Sequence, residues 1–272
     1  MSRTTLRLRQ QPALPVDARS LLPAPLAALS VAEIEALPLA QGRTTLPLAE
    51  IFDVSRTEAD GPPELHVEGD CARIDHLGWT MAEGMLHVHG PAGDHAGGGL
   101  AGGRIMIDGD AGDMAGISMR GGWLEIGGNC GDMAASALPG DMDGMRGGTL
   151  VVRGDAGVRL GDRMRRGTVV VFGDAGDHLA SRMVAGTIAL AGRCGAHPAV
   201  GMRRGSIVFA GTAPEPGITF VPVHSNADVF WQLLARDLAR FGGVFGGLAQ
   251  RRVVRLAGDL AVQGKGELLM PD

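Results

Sequence analysis

Two neighbouring segments, RMRRGTVVVFGDAGDHLASRM (163–183) and VAGTIALAGRCG (184–195), decide the fold class of this chain. Each contains a glycine, a short apolar run, a second glycine six residues after the first, and a small residue two positions later. The same pattern recurs along the sequence. Its first glycine is Gly84, Gly103, Gly122, Gly148, Gly167, Gly186 or Gly205. Successive copies lie 19 residues apart, with one interval of 26. Such a repeat indicates one structural unit that stacks on copies of itself.

The apolar residues alternate within each copy, which predicts strands with one inward face. The pairs are Leu86/Val88, Ile105/Ile107, Leu124/Ile126, Leu150/Val152, Val169/Val171, Ile188/Leu190 and Ile207/Phe209. A strand this short buries little surface alone, so we expect consecutive copies to stack as parallel strands about 4.8 Å apart. Parallel crossovers are right-handed in about 98% of cases. The sequence therefore predicts an all-β fold, a right-handed parallel β-helix of seven or eight coils, each of about 19 residues.

The repeat covers residues 61–213, including a degenerate first copy at 63–72. Residues 1–60 are predicted to form a cap or interface segment, with a capping box from Ser30 to Glu33 that starts a helix through about Leu37. Residues 214–272 form a tail with one helix, which Ser225 or Asn226 would cap and which Gly242-Gly243 would end. The predicted apolar face of this helix consists of Val229, Phe230, Leu233, Leu234, Leu238 and Phe241.

Several potentially reactive residues recur at packing positions. All three cysteines, Cys71, Cys130 and Cys194, stand where the other copies have alanine. We therefore expect them to pack inward rather than to act as nucleophiles or metal ligands. Methionines precede the glycines by three residues and are predicted to form a second inward ladder. They are Met81, Met119, Met145, Met164, Met183 and Met202, with Leu100 at the same position.

Composition restricts the function classes. The 272 residues carry 25 basic and 30 acidic side chains, a net charge of −5, which does not favour nucleic-acid binding. No apolar run is long enough to span a membrane, and charges interrupt residues 1–20, so no signal peptide is expected. An odd number of widely separated cysteines is typical of a reducing compartment. We predict a cytoplasmic protein with neither nucleic-acid nor membrane partners.

Two polar rows could be taken for metal sites. His95, His178 and His197 share one repeat position, and we expect an exposed ladder at a corner, because no third ligand recurs beside them. Asp110, Asp155 and Asp174, with Asn129, follow the second glycine and are predicted to stabilise turns. The sequence contains no Walker motif, no GxSxG elbow and no HExxH motif. We therefore assign no catalytic residue and no metal ligand to this chain.

An arginine strip is the main candidate binding feature. Arg120, Arg146, Arg165 and Arg203 stand two residues before a repeat glycine, so they should line one edge of the stack. Arg166 and Arg204 extend the strip in two copies. It is either a docking surface for an acidic partner or polyanionic ligand, or a solvated face. Residues 135–143, within the 26-residue interval, are expected to protrude as a loop beside Arg120 and Arg146.

The repeat resembles a known family. GMRGGTLVVRGDAG (144–157) and the two segments at 163–195 resemble the GXGXG β-helix shared by the glutamate synthase large subunit and by the C subunit of formylmethanofuran dehydrogenase. Outside the repeat, EIEALPLAQGRTTLPLAEIFDV (33–54) resembles the N-terminal part of that C subunit. The tail segments VFWQLLARDLARFG (229–242) and LAGDLAVQGKGELLMP (256–271) resemble its bacterial form, which belongs to the formyltransferase/hydrolase complex.

The resemblance implies a non-catalytic scaffold in a multi-subunit enzyme. That enzyme moves a formyl group from tetrahydromethanopterin to methanofuran (methylofuran in bacteria) and releases formate. The implied partners are a transferase subunit, a metal-dependent hydrolase subunit and a subunit like molybdopterin enzymes, and this chain would bind no cofactor itself. Methanofuran-type cofactors carry glutamate-rich tails, a polyanion that suits the arginine strip. Two alternatives stay open: the C subunit of a tungsten or molybdenum formylmethanofuran dehydrogenase, and a glutamate synthase-type domain.

Overall fold

The computed structural model describes residues 2–223 and 228–271, and the chain there is mainly β. The strands are β1 (Ser2–Leu8), β2 (Val16–Asp17), β3 (Pro38–Gln41), β4 (Thr44–Pro47), β5 (Phe52–Glu58), β6 (Glu64–Glu68), β7 (Ile74–Asp75), β8 (Met85–His89), β9 (Arg104–Ile107), β10 (Trp123–Ile126), β11 (Arg146–Val152), β12 (Arg166–Val171), β13 (Thr187–Leu190), β14 (Ser206–Phe209), β15 (Val221–Pro222), β16 (Val253–Gly258) and β17 (Gly266–Pro271). The α-helices are α1 (Pro23–Ala27), α2 (Val31–Glu35) and α3 (Asp228–Ala239), and short 3-10 helices span Leu48–Glu50, Gly243–Gln250 and Leu260–Val262.

The repeats stack as a ladder of parallel strands, from β6 through β8 to β14 in chain order. The register is the one that the sequence repeat predicts, with Leu86 opposite Ile105 and Ile105 opposite Leu124. A second row of parallel bridges joins the small residues one repeat apart, such as Ala156 and Ala175. A third row of backbone bonds lies before each strand, as in Gly99 N–H to the Ile117 carbonyl. The predicted stacking of parallel strands is confirmed.

The ladder encloses one apolar core. Both residues of every predicted inward pair are buried, and so is each member of the methionine ladder. The repeat glycines are required by the stacking distance. At Gly103, where φ is +74°, a Cβ atom would lie 2.5 Å from the carbonyl oxygen of Gly84 in the preceding repeat. The predicted inward ladders are therefore confirmed, and glycine allows the backbones of successive repeats to touch.

Both flanks add strands to the ladder, which the sequence pattern does not predict. At one end β1 pairs with β6 in parallel and with β5 antiparallel. At the other end β17 pairs with β14 in parallel and with β16 antiparallel. The predicted capping box is confirmed: the Ser30 hydroxyl accepts from the Glu33 N–H, and the Glu33 carboxylate accepts from the Ser30 N–H. The helix ends at Glu35, two residues before the predicted end.

The predicted apolar face of α3 is only partly confirmed: Leu238 and Phe241 are buried and Leu234 packs beside them, but Val229, Phe230 and Leu233 are exposed. Trp231, Ala235 and Leu238 are buried, whereas Val229 and Leu233 are 76% and 62% exposed. The helix packs against outward residues of β11 to β14, and the small Ala235 is fully buried in that contact. The proposed caps Ser225 and Asn226 lie outside the described residues. Within the described residues no helix has the length and apolar character needed to cross a membrane.

Candidate functional site

The predicted arginines occupy equivalent rungs of the ladder. Each backbone N–H donates to the carbonyl of a buried Met or Leu in the preceding repeat, at 2.7–2.8 Å. The pairs are Arg120–Leu100, Arg146–Met119, Arg165–Met145 and Arg203–Met183. Because the residue before each arginine points into the core, the arginine itself points outward, and all four are exposed. In the repeat between those of Arg165 and Arg203, the equivalent position is Val184, which interrupts the row of arginines.

This interruption produces a groove. Two arginine pairs, Arg165-Arg166 and Arg203-Arg204, stand one on each side of Val184 and Ala185. Together with Asp143 and Arg146 they line a cavity of about 550 Å³. Of the predicted strip, the structure brings Arg146, Arg165 and Arg203 together here, whereas Arg120 does not line the groove.

The groove concentrates positive charge on an acidic chain. Its lining contains five arginines and one carboxylate, a formal charge of +4, against −5 for the whole chain. Asp143 pairs with Arg165 and, at 3.7 Å, with Arg146. Arg166, Arg203 and Arg204 have no side-chain partner among the residues that the structure describes. A guanidinium fork binds carboxylates in a bidentate manner, so the groove suits a ligand with several carboxylates.

The inserted loop contributes to this surface, although it begins later than predicted. Residues 135–137 are buried, because they still occupy regular positions in the repeat. The protruding part therefore starts after Ala137, and Asp143 at its end lines the groove. Met142 in the loop also lines an adjoining cavity of about 320 Å³, which shares Arg165, Val184 and Arg203 with the groove. The loop and the arginine groove form one continuous surface.

The acidic row binds backbone N–H groups, but of the next repeat and not of its own turn as predicted. The carboxylate of Asp110 accepts the N–H of Asn129 at 2.7 Å, and the Asn129 amide oxygen accepts the N–H of Asp155 at 2.8 Å. Asp155 and Asp174 continue the series to the next repeats. A parallel row that was not predicted consists of Asp75, Asp94, Asp113, Asp132 and Asp177. These side chains tie each repeat to the next one.

The cysteines occupy the alanine row of the ladder, as predicted. Cys71 and Cys130 are buried and Cys194 is half-buried. Burial raises the pKa of all three thiols to about 12. Thiols with so high a pKa are protonated at neutral pH and are poor nucleophiles.

Histidines form two kinds of cluster. His178 and His197 are exposed and stack at 5.4 Å between ring centroids, as the corner ladder predicts. His95 is half-buried, because it stacks on a further histidine, His76, at 4.7 Å. A separate group on the strands, His66, His87 and His89, was not predicted. The signal for it is the HVH sequence at 87–89, which puts two imidazoles on the same face of a strand.

Comparisons with known proteins agree on one family. The family model described as the GXGXG motif matches residues 59–215. The C subunit of the formyltransferase/hydrolase complex of Methylorubrum extorquens is 41% identical over 90 residues, 33% of each chain. The C subunit of the tungsten-containing formylmethanofuran dehydrogenase 2 of Methanococcus maripaludis is 33% identical over 93 residues, 34% of each chain. These sequence matches thus span about a third of the relatives' length.

A solved structure extends the similarity to almost the whole chain. The crystal structure of the formyltransferase/hydrolase complex from Methylorubrum extorquens, in complex with methylofuran, contains a chain that matches with a TM-score of 0.90. The match has 39% sequence identity and covers 98% of this chain and 99% of that one. It therefore includes both flanks as well as the repeat.

Proposed function

The chain belongs to the GXGXG family and, within it, to the family of the C subunit of the formyltransferase/hydrolase complex, and on this premise we propose that it is a subunit of such a complex. The observation that carries the proposal is the structural match at 39% identity over 98% of the chain. The complex would move a formyl group from formyl-tetrahydromethanopterin to methylofuran and release formate. Its partners would be the transferase subunit, the metal-dependent hydrolase subunit and the subunit like molybdopterin enzymes.

The architecture that fits this role is a right-handed parallel β-helix of seven or eight coils over residues 61–213. The three rows of hydrogen bonds between successive repeats support it. Residues 1–60 and 214–272 would act as caps, since the antiparallel strands β5 and β16 lie at opposite ends of the ladder. Caps of this kind protect the open edges of a solenoid from pairing with other chains.

We assign this chain a scaffold role and assign the chemistry to its partners. The carboxylates of both aspartate rows accept backbone N–H groups of the next repeat, and the thiols pack in the core with a pKa of about 12. These groups hold the ladder together and are not free to act on a substrate. We also place the complex in the cytoplasm, because the cysteines are free and serve as packing residues.

The arginine groove is proposed as the docking site for a polyanion, either an acidic partner surface or the glutamate-rich tail of methylofuran. Three of its guanidinium groups have no side-chain partner among the described residues, and Val184 and Ala185 provide an apolar floor. Bound carboxylates would replace the water around Arg166, Arg203 and Arg204. Arg120, which belongs to the predicted strip, would contribute only at a distance.

A second interaction surface is proposed on α3. Val229, Phe230 and Leu233 are exposed on the same helix that buries Trp231. Adjacent exposed apolar side chains are typical of protein–protein contacts. We propose that they are covered by a partner in the assembled complex.

The second candidate is the C subunit of a tungsten- or molybdenum-containing formylmethanofuran dehydrogenase, which 33–34% identity to such proteins favours. Affinity purification of the tagged chain from its native host, with identification of the partners, separates the two. Co-purification of a transferase and a metal-dependent hydrolase, with no tungsten or molybdenum, supports the first proposal. Recovery of stoichiometric tungsten or molybdenum supports the second. Recovery of the chain without partners contradicts both.

A further inference from the structure

Three histidines share the outer face of β6 and β8. The two strands pair in parallel register, with His66 opposite His87 and Glu68 opposite His89. The intervening residues, Leu65, Val67, Leu86 and Val88, are buried in the core. Since side chains alternate along a strand, the three histidines point away from the core. Their side chains are 17%, 19% and 36% exposed, so the cluster is partly shielded from water.

One ring nitrogen of each histidine lies within 4.8 Å of the corresponding atoms of the other two. His66 Nδ1 is 2.9 Å from His89 Nε2. The outer nitrogens of both rings have carboxylate partners: His66 Nε2 lies 3.4 Å from Glu64, and His89 Nδ1 lies 3.1 Å from Asp108. The other oxygen of Asp108 is 2.7 Å from His87 Nε2. All three rings thus have a carboxylate partner, and the remaining nitrogens of His66 and His89 face each other.

This is the arrangement found around protein-bound metal ions. A metal-ligating histidine usually donates its second ring N–H to a carboxylate, which fixes the tautomer and orients the ring. Here Asp108 contacts one ring nitrogen of His87 and one of His89, and Glu64 contacts one ring nitrogen of His66. Each imidazole therefore keeps its second nitrogen for a ligand.

We propose that His66, His87 and His89 bind one divalent transition-metal ion, with zinc as the best fit, and that Asp108 orients two of the rings. Imidazole nitrogen is a preferred ligand of zinc, nickel and copper. Zinc–nitrogen distances of about 2.0–2.1 Å separate two tetrahedral ligands by about 3.3 Å, so the 2.9 Å pair must open only slightly. Water would fill the fourth position, because both oxygens of Asp108 are engaged by His87 and His89.

The ion would connect three rungs of the ladder, because its ligands lie on β6 and β8 and Asp108 directly follows β9. Metal binding would therefore stabilise the end of the ladder near the N-terminal strands. This site is separate from the arginine groove, whose residues lie on later repeats. It is also separate from the proposed chemistry of the complex, so its test does not depend on the proposed function.

The test uses the full chain, stripped with a chelator and titrated with zinc chloride by calorimetry, and with cobalt chloride by visible absorption. We expect one equivalent of zinc, and cobalt absorption bands typical of a low-coordinate nitrogen site. At zinc concentrations 100-fold above Kd the melting temperature should rise by about 5 °C. Absence of a stoichiometric site in the wild-type chain would overturn the proposal.

Variants localise the ion. His87→Gln/His89→Gln should abolish the stoichiometric site, and Asp108→Asn should weaken zinc binding about 10- to 100-fold while keeping one equivalent. The matched control, His178→Gln/His197→Gln, removes a stacked pair that has no third ligand among the described residues and should bind zinc as the wild type does. The proposal fails if the control loses the ion, or if the first variant keeps it while circular dichroism shows both variants folded.

Discussion

The first half of the ladder, β6 and β8 to β10, and the second half, β11 to β14, have the same apolar core but differ in their outer faces. The residue between the two inward side chains of each strand points outward. In the first half this residue is half-buried, and in the second half it is apolar and buried. The series is His66, His87, Met106 and Glu125 on β6 to β10, then Val151, Val170, Ala189 and Val208 on β11 to β14. One residue per repeat thus determines whether the outer face of the stack stays open or receives another element.

The covered half is stabilised by apolar packing. Trp231, Leu238 and Phe245 pack with the outward valines in a second core, separate from that inside the ladder. Burial of one such side chain contributes about 1.5–3 kcal/mol. The Trp231 indole N–H donates to the Arg251 carbonyl at 2.9 Å, so the ring has no unsatisfied polar group. The 3-10 helix at 243–250 and α3 therefore form a lid on this half.

The open half relies on polar contacts between repeats. Glu125 accepts from Arg104 at 3.1 Å and from Arg153 at 2.6 Å. The pKa of Glu125 is lowered: burial acts against ionisation, but the hydrogen bonds from Arg153 and Trp123 prevail. Exposed ion pairs contribute little to stability, with a median of about 0–1 kcal/mol. The open half is therefore held mainly by its inner core, and its surface is available for ligands and partners.

The largest effect is expected inside the ladder. Met164→Asp places an unpaired carboxylate in the methionine ladder and should cost about 3 kcal/mol or more of the free energy of unfolding. We expect insoluble protein or failure to assemble. Met142→Asp is the matched control, since Met142 is 73% exposed in the inserted loop, and should melt as the wild type does. A soluble Met164→Asp chain with unchanged melting would refute the inward position.

The same substitution at two equivalent outward positions tests the comparison itself. Val170→Asp, on the covered half, should lower the free energy of unfolding by about 3 kcal/mol, because the charge would lie under the lid. Met106→Asp, on the open half, should change it by less than about 1 kcal/mol. Urea denaturation monitored by circular dichroism gives both values. Equal losses at the two positions would mean that the two faces do not differ.

The exposed side of α3 should matter for assembly and not for folding. Val229→Ser/Leu233→Ser should leave the midpoint of urea denaturation unchanged, because both residues are exposed in this chain. The double variant should lose at least about tenfold in the yield of co-purified partner proteins. Trp231→Ala is the contrasting control and should destabilise the chain itself by about 3 kcal/mol. Normal assembly of the double variant would show that α3 is not an interface.

The smallest effect is expected at the arginine groove. Arg165→Gln/Arg203→Gln/Arg204→Gln should weaken assembly, or raise the apparent KM for methylofuran, by severalfold, and salt should reduce the difference because it screens exposed charges. Arg120→Gln keeps the groove intact and should behave as the wild type. If both variants assemble normally with wild-type kinetics at low salt, the arginines form only a solvated face.

The sequence predicts the inside of the ladder well because the repeat fixes which residues share a rung. Met164, Cys130 and Cys194 could be placed by counting 19 residues from an equivalent position. The packing of elements on the outer face of the ladder depends on contacts with residues that are distant in the sequence. The buried face of α3 is set by the outward valines, so the apolar pattern of the helix alone identifies Leu238 and Phe241 but wrongly includes Val229 and Leu233. The strand β1 lacks the repeat glycines, and β17 has only the first of them, Gly266, which stands opposite Gly205.

The groove and the histidine cluster also depend on contacts between repeats that the sequence pattern alone does not predict. The arginine row is visible in the sequence, but the groove exists because Val184 and Ala185 interrupt it. His66 lies in the degenerate first repeat, 21 residues before His87 in the next one, so counting in steps of 19 separates them. Only the strand register places them opposite each other.

We propose that this chain organises a formyl-transferring complex without carrying out its chemistry. The most direct measurement is formyl transfer from formyl-tetrahydromethanopterin to methylofuran, followed by formate release, assayed in parallel for the purified complex and for the isolated chain. We predict turnover by the complex and none by the isolated chain at any concentration tested. Formyl transfer or formate release by the isolated chain would contradict the scaffold role.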